Sequence, residues 1–193
     1  MLEDILLIDN FDSFTYNIVD QLRVLGYRVI IYRNIVSLNT ILSVLLKLHN
    51  PIILLSPGPG IPKYSGCILN LLKFVIGRIP VLGICLGHQA IIEHYGGSIG
   101  YAQEVLHGKT SLIYHDKKDM FLNIPNPLLV ARYHSLIGYH IPKSLVINSY
   151  INNMVMSVRN NHNKVCGFQF HPESILTTQG FALLKNTLHW LYS

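Results

Sequence analysis

Pro80-Val81-Leu82-Gly83-Ile84-Cys85-Leu86-Gly87-His88-Gln89-Ala90 is the stretch from which the rest of the chain is read. Val81 to Ile84 is a short apolar run with the composition of a buried strand, and Leu86 to Tyr95 has the composition of a helix. Cys85 falls at the corner between them, with Gly83 and Gly87 two residues to either side. This is a strand–turn–helix layout with a thiol at the turn, the cysteine counterpart of the G-x-S-x-G nucleophile elbow. Glycines permit a tight turn that exposes the sulfur, and the unpaired N–H groups of a helix N-terminus favour a thiolate. The same residues also fit a buried structural cysteine in a packed turn, since free Cys is among the most buried residue types. The stretch alone leaves both readings open.

Outward from that corner, alternation of strands and helices sets the fold class. Ile5–Ile8, Val29–Tyr32 and Ile52–Leu55 are short apolar runs separated by helical patterns. In the first helix Ile18, Gln21-Leu22 and Leu25 form a stripe, with Asp12 or Ser13 as its cap and Gly26 closing it. Ser37 opens a second helix with Ile41, Val44-Leu45 and Leu48 on one face, and a third runs from about Ile68 to Ile76. Strands alternating with helices predict βαβ crossovers and a parallel sheet. After Gly96-Gly97 the pieces become short and strand-like, near Ser111–Tyr114, Leu128–Tyr133, Leu145–Asn148, Met154–Arg159 and Val165–Phe170. These predict an antiparallel extension of the sheet. A closing helix spans Thr178 to Leu191, with Phe181, Leu184, Leu188 and Leu191 expected to face inward. The expectation is an α/β fold: one domain over residues 1–193, with a mixed, mainly parallel central sheet flanked by helices.

Composition narrows the class of function. Half of the 193 residues are hydrophobic and 13% are charged, which describes a globular chain able to bury a core. The mean hydropathy of +0.34 raises the question of a membrane. The richest stretch, Ile41 to Leu55, is interrupted by Lys47, His49, Asn50 and Pro51, too broken for a span of ~20 apolar residues. The acidic start, Met1-Leu2-Glu3-Asp4, runs straight into an apolar strand, so no signal peptide is expected. Three cysteines, Cys67, Cys85 and Cys166, lack metal-ligand spacing and fit a reducing cytoplasm. The net charge of +5 comes from scattered residues, with Lys117-Lys118 the one adjacent pair, so nucleic acid is not the expected partner. Neither a phosphate-binding glycine loop nor H-E-x-x-H is present, so no nucleotide cofactor and no metal are expected.

Parallel α/β sheets place their sites beyond the strand C-termini. Three loops emerge there: Asp9–Ser13, Ser56–Gly60 and the Cys85 turn. Pro57-Gly58-Pro59-Gly60 fits an ordinary tight turn and equally a set of backbone N–H groups bared for an oxyanion. A thiol nucleophile needs a base, and His171-Pro172-Glu173 is the best placed candidate among ten histidines. Proline holds His171 towards an extended conformation, and residues two apart in such a segment share a side. Glu173 can then accept from the imidazole, fixing its tautomer as the third member of a triad does. Gln89, one helical turn after Cys85, is either a surface glutamine or a hydrogen-bonding partner for a substrate held at the sulfur. Tyr133-His134-Ser135-Leu136 can line the same cleft, with His134 read as structural and outside the catalytic set.

At this point the chain resembles the class I (triad) glutamine amidotransferases. Gly83 to Gln89 is similar to their nucleophile motif, Phe170-His171-Pro172-Glu173-Ser174 to their His/Glu motif and Pro57 to Gly60 to their oxyanion loop. Within that family the likeness is closest to glutaminase subunits of anthranilate synthase, through Asp9–Thr15, His107-Gly108-Lys109, Arg132–Leu136 and Pro172–Leu176. The resemblance implies that Cys85 attacks the carboxamide of glutamine, with His171 and Glu173 completing the triad. It implies that backbone N–H groups of Leu86 and Gly58 hold the oxyanion. Gly58, Pro59, Gly60, Gln89, Ser135 and Leu136 would hold the glutamine. It further implies that this subunit carries no cofactor and delivers ammonia to a separate chorismate-binding synthase subunit, in a cytoplasmic heterotetramer. The glutaminase subunit of aminodeoxychorismate synthase, or one subunit serving both synthases, is the alternative. Lys63-Tyr64-Ser65 departs from the more acidic, small-residue stretch usual after the oxyanion loop, and the phosphoribosyltransferase domain fused to some relatives is not expected here. A protease-like hydrolase would not need His-Pro-Glu, Gln89 and the Pro-Gly-Pro-Gly loop together. A non-catalytic homologue would not be expected to keep Cys85, His171 and Glu173.

Overall fold

The structure, a computed structural model, describes residues 3–102 and 109–193. His107 and Gly108 therefore lie outside the described residues. The first half alternates as expected: β1 (Asp4–Asp9), α1 (Thr15–Val24), β2 (Arg28–Arg33), α2 (Leu38–Leu45), β3 (Ile52–Leu55), α3 (Ile68–Val75), β4 (Val81–Ile84) and α4 (Leu86–His94). Strands then dominate: β5 (Ser98–Tyr101), β6 (Lys109–His115), β7 (Leu128–Arg132), β8 (Leu136–Tyr139), β9 (Val146–Ile151), β10 (Met154–Asn160) and β11 (Val165–Phe168), before the closing α5 (Gly180–Tyr192).

Nine strands form one mixed sheet in the order β2-β1-β3-β4-β11-β10-β9-β6-β7. The five strands from β2 to β11 pair in parallel, and the outer four are added antiparallel. The parallel strands are apolar on both faces because helices cover both. Ile5, Leu7, Ile52, Leu54, Leu82 and Ile84 pack with Ile18 and Leu22 of α1 and Leu184 and Leu188 of α5. Their alternating neighbours Leu6, Ile8, Ile53, Leu55 and Val81 pack with Ile41 of α2, Leu71 of α3 and Ile91 of α4. The period of two along each strand thus feeds two separate cores.

Several local expectations change. Neither Asp12 nor Ser13 caps α1; the helix starts one or two residues later, and the Asp12 carboxylate accepts the Phe14 N–H at 2.7 Å in the turn before it. Ser37 does cap α2, accepting the Thr40 N–H at 3.2 Å. Phe181 faces outward at 43% exposure, while Gly180, Leu183, Leu184, Thr187 and Leu188 hold the inner side of α5. Val165–Phe170 ends as a strand at Phe168. The segments Ser98–Tyr101 and Leu136–Tyr139, for which the sequence pattern predicts no strand, pair antiparallel in a small second sheet that carries Leu136.

Candidate active site

The β4–α4 corner has the geometry of a nucleophile elbow. Cys85 has φ 52° and ψ −100°, a conformation unusual for a non-glycine residue and costing roughly 1–3 kcal/mol, with its N–H held by the Phe168 carbonyl at 2.7 Å. The flanking glycines allow it. A Cβ on Gly83 would run into the Gly87 backbone, and one on Gly87 into the Leu55 carbonyl of β3. The helix is thereby pressed onto the strand ends, and the sulfur is lifted to the N-terminus of α4. Leu86 is the first residue of that helix, so its N–H has no intrahelical acceptor and is free for an oxyanion.

Register brings the base to the nucleophile. Phe168 of β11 pairs with Ile84 of β4, so Gln169 emerges level with Cys85 and His171 follows two residues on. The His171 N–H bonds the Ala131 carbonyl at 3.1 Å, and Thr177 Oγ1 donates to the His171 carbonyl at 2.6 Å while accepting the Ala131 N–H at 3.0 Å. The imidazole Nδ1 lies 2.7 Å from Glu173 Oε1, with both side chains buried. Phe14 and Tyr133 enclose the ring edge-to-face, at 6.0 and 5.1 Å between centroids. Burial pulls the His171 pKa down, but hydrogen bonding and charge from Cys85 and Glu173 outweigh it and lift the pKa to about 10. The ring is thus fixed by the carboxylate at Nδ1, while its buried Nε2 makes no hydrogen bond among the described residues, leaving one nitrogen available to serve a thiol nucleophile.

In front of the sulfur is a cleft of about 140 Å³ lined by Gly58, Pro59, Gly60, Cys85, Gln89, Tyr133, His134, Ser135 and Leu136. Of the glutamine-contact residues expected from the sequence, Gly58, Pro59, Gly60, Gln89, Ser135 and Leu136 line it and Leu86 does not. Gly58 is wedged against Asn10, whose side chain is tied to the Ser56 carbonyl and to Asn34, so the oxyanion loop and the Asp9–Ser13 loop are locked together. Gln89 Nε2 donates to the Leu136 carbonyl at 3.0 Å and to Gln169 Oε1 at 3.2 Å. A wider hollow of about 600 Å³ lies on the other side of Glu173, between α1 and the Ser174–Leu176 turn.

A family model described as "Glutamine amidotransferase class-I" matches residues 6–190. The chain belongs to the class-I glutamine amidotransferase family. It is 63% identical over 189 residues to a protein named "Anthranilate synthase component 2" from Buchnera aphidicola subsp. Schizaphis graminum (strain Sg), covering 98% of this chain and 96% of that protein. A protein of the same name from Vibrio parahaemolyticus serotype O3:K6 (strain RIMD 2210633) is 51% identical, over 98% of this chain and 96% of its own length. Among solved structures, a glutamine amidotransferase from Thermotoga maritima shares the fold at a TM-score of 0.74 and 16% identity, covering 100% of this chain and 99% of that one.

As a class-I amidotransferase the chain holds polar groups around its elbow that sequence reasoning missed. Gln169 is fully buried, and its Nε2 lies 3.8 Å from Cys85 Sγ. It stands two residues before His171, so the same alternation that pointed to Glu173 points back to it. His134 lines the cleft yet stays neutral: burial and the neighbouring Arg132 cation lower its pKa to about 3. His88, wholly buried on α4, is held by burial at about 3 as well, and is neutral beside the site. Among the described residues, no three His, Cys, Asp or Glu side chains are grouped to hold a metal, and no helix is long and apolar enough to cross a membrane.

Proposed function

We propose that this chain is the glutaminase component of anthranilate synthase. It hydrolyses glutamine at Cys85 and passes ammonia to a separate chorismate-binding subunit that forms anthranilate, a step of tryptophan biosynthesis. The observation that carries the chemistry is the buried His171–Glu173 pair set against an elbow cysteine at the mouth of a small polar cleft. The destination of the ammonia is supported by identity of 63% and 51%, across nearly whole chains, to proteins named anthranilate synthase component 2.

The Cys85 sulfur attacks the carboxamide carbon, and negative charge on the oxygen is taken up by the N–H groups of Leu86 and of the Gly58 loop. His171 gives its proton to the departing nitrogen, releasing ammonia and leaving a γ-glutamyl thioester. Water, deprotonated by the now neutral His171, attacks the thioester; the C–S bond breaks and glutamate leaves. Gly58, Pro59, Gly60, Gln89, Ser135 and Leu136 hold the glutamine at the sulfur. The glutaminase works without a cofactor or metal, in the cytoplasm, within a heterotetramer with the synthase subunit.

Reconstitution tests the reading. With a chorismate-binding anthranilate synthase subunit, glutamine-dependent anthranilate should appear, and Cys85→Ser should eliminate it while ammonia-supplied product, made by the partner's chemistry, serves as control. Glutamine-dependent product with an aminodeoxychorismate synthase subunit, and none with the anthranilate enzyme, overturns the assignment. Sedimentation of the complex checks the heterotetramer, dialysis against chelator the absence of a metal, and cell fractionation the location.

A further inference from the structure

Behind the cleft runs a line of buried polar groups in which every donor and acceptor is fixed by chemistry. Arg132, His134, Gln89 and Gln169 are each at most 3% exposed. Arg132 Nε lies 3.3 Å from His134 Nε2, and a guanidinium only donates, so Nε2 must carry a lone pair. The neutral ring then has its hydrogen on Nδ1, 3.1 Å from the Leu136 carbonyl, which only accepts. Gln89 must likewise turn its NH₂ to that carbonyl, at 3.0 Å. Its second hydrogen goes to Gln169 at 3.2 Å, which obliges Gln169 to present Oε1. The Gln169 NH₂ is left facing Cys85 Sγ, 3.8 Å away.

We propose that this chain of five hydrogen bonds makes Gln169 a positioning residue that serves nucleophile and substrate at once. Towards the sulfur it offers an N–H, which favours the thiolate over the thiol and adds to the pull of His171. Towards Gln89 it offers an acceptor, which holds the Gln89 carboxamide with Oε1 outward. That oxygen accepts no hydrogen bond from the described residues and reaches the cleft as an acceptor for a cationic donor, the α-ammonium of an amino-acid amide. Specificity and nucleophile activation are therefore set by one buried amide, itself oriented through Gln89 by the Leu136 carbonyl. The titratable groups on the elements packed around Cys85 are His171 with Glu173 after β11, Tyr133 in the cleft wall, His134 beside it and His88 buried on α4. The last two are neutral. The inference rests on Cys85 as the glutaminase nucleophile.

Two variants separate the two duties. Gln169→Glu keeps an oxygen towards Gln89 and replaces the N–H towards sulfur by an oxygen; Gln169→Met removes both. The rate of Cys85 alkylation by iodoacetamide, followed by mass spectrometry of the Cys85 peptide across pH in the full chain, reads the thiolate. With Gln169→Glu the rate near neutral pH should fall at least about tenfold, the worth of one hydrogen bond to a charged group, and the profile should move to higher pH. KM for glutamine in the reconstituted complex should stay within about threefold. With Gln169→Met the alkylation loss should recur and KM should rise about tenfold as Gln89 loses its orientation. A Gln169→Glu profile that overlies the wild type's, or an unchanged KM in Gln169→Met, overturns the proposal. Should neither variant fold, ¹⁵N spectra of the wild-type side-chain amides decide: the Gln169 NH₂ signals should shift when Cys85 is alkylated, since that NH₂ faces the sulfur. Gln169 NH₂ signals that do not respond overturn it. The underlying reading fails separately, by Cys85→Ala retaining glutamine hydrolysis.

Discussion

Removing Glu173 should weaken the enzyme without stopping it, and should move the basic limb of its pH profile. The His171 pKa stands at about 10 against an ordinary 6.5, a difference worth roughly 5 kcal/mol in favour of the imidazolium. The pair is buried, so solvent does little to screen it. Glu173 raises the value both through its hydrogen bond to Nδ1 and through its charge, and one hydrogen bond between charged groups is worth about 2 kcal/mol, or about 30-fold. Loss of the fixed tautomer adds to this. In Glu173→Ala, kcat/KM for glutamine should fall by about 30-fold to 10³-fold, short of the complete loss expected for Cys85→Ala. The midpoint of the basic limb should drop by about one to two pH units. Stability moves with it. A folded-state pKa above the unfolded one means that protonated His171 stabilises the fold fully below about 6.5, and the contribution is lost as pH rises towards 10. Urea midpoints measured across that window should therefore fall with pH in the wild type and fall less in Glu173→Ala. The backbone is unaffected by the truncation, because Gln21 holds the Glu173 carbonyl and not its side chain. A variant whose basic limb and urea slope both overlay the wild type's would refute the coupling of His171 to Glu173.

Three further perturbations probe the scaffold. Gly58→Ala places a methyl against the Asn10 backbone, so the oxyanion loop must shift; kcat/KM should fall more than about tenfold with a stability loss of about 1–3 kcal/mol, read by steady-state kinetics and urea unfolding. Thr177→Val leaves the Ala131 N–H without a partner, while the His171 carbonyl keeps the Ser174 N–H at 3.3 Å, and should cost about 1–3 kcal/mol, whereas Thr177→Ser should recover most of it in the same unfolding assay. Leu184→Ala opens a cavity under α5, where the side chain is fully buried, and should cost about 2–5 kcal/mol while leaving KM for glutamine near its wild-type value.

What could be read in advance follows from how strongly a residue's surroundings constrain its type. β1, β3 and β4 were legible because both faces of a central parallel strand must be apolar, and the elbow because its glycines have no substitute where helix and strand backbones touch. β5 and β8 were not. Each is four residues with an exposed or half-buried residue at both ends, Ser98-Ile99-Gly100-Tyr101 and Leu136-Ile137-Gly138-Tyr139, so neither shows the run buried on both faces that marks β4 in spite of its own glycine. Phe181 shows the limit of spacing: period fixes which residues share a face, but not how far that face extends to the edge, where Phe181 lies half-exposed. Gln169 escaped because a lone glutamine has no motif of its own; its meaning comes from the strand pairing that sets it beside Cys85.

That pairing also explains why the site sits where the sheet changes character. β11 is bonded in parallel to β4 on one side and antiparallel to β10 on the other. The parallel side fixes the height of Gln169 and His171 against Cys85. On the antiparallel side the Gln169 N–H reaches the Met156 carbonyl at 2.9 Å, and His171 bridges to Ala131 next to the strand that leads into Tyr133–Leu136. The nucleophile and the Gly58–Gly60 wall thus come from one half of the sheet, the Tyr133–Leu136 wall from the other, and the base from the strand shared by both. A slip of one residue along β11 would turn Gln169 and His171 to the opposite face together. Catalytic geometry here depends less on any single side chain than on the register of one four-residue strand, held at Gly167↔Gly83 and Phe168↔Ile84.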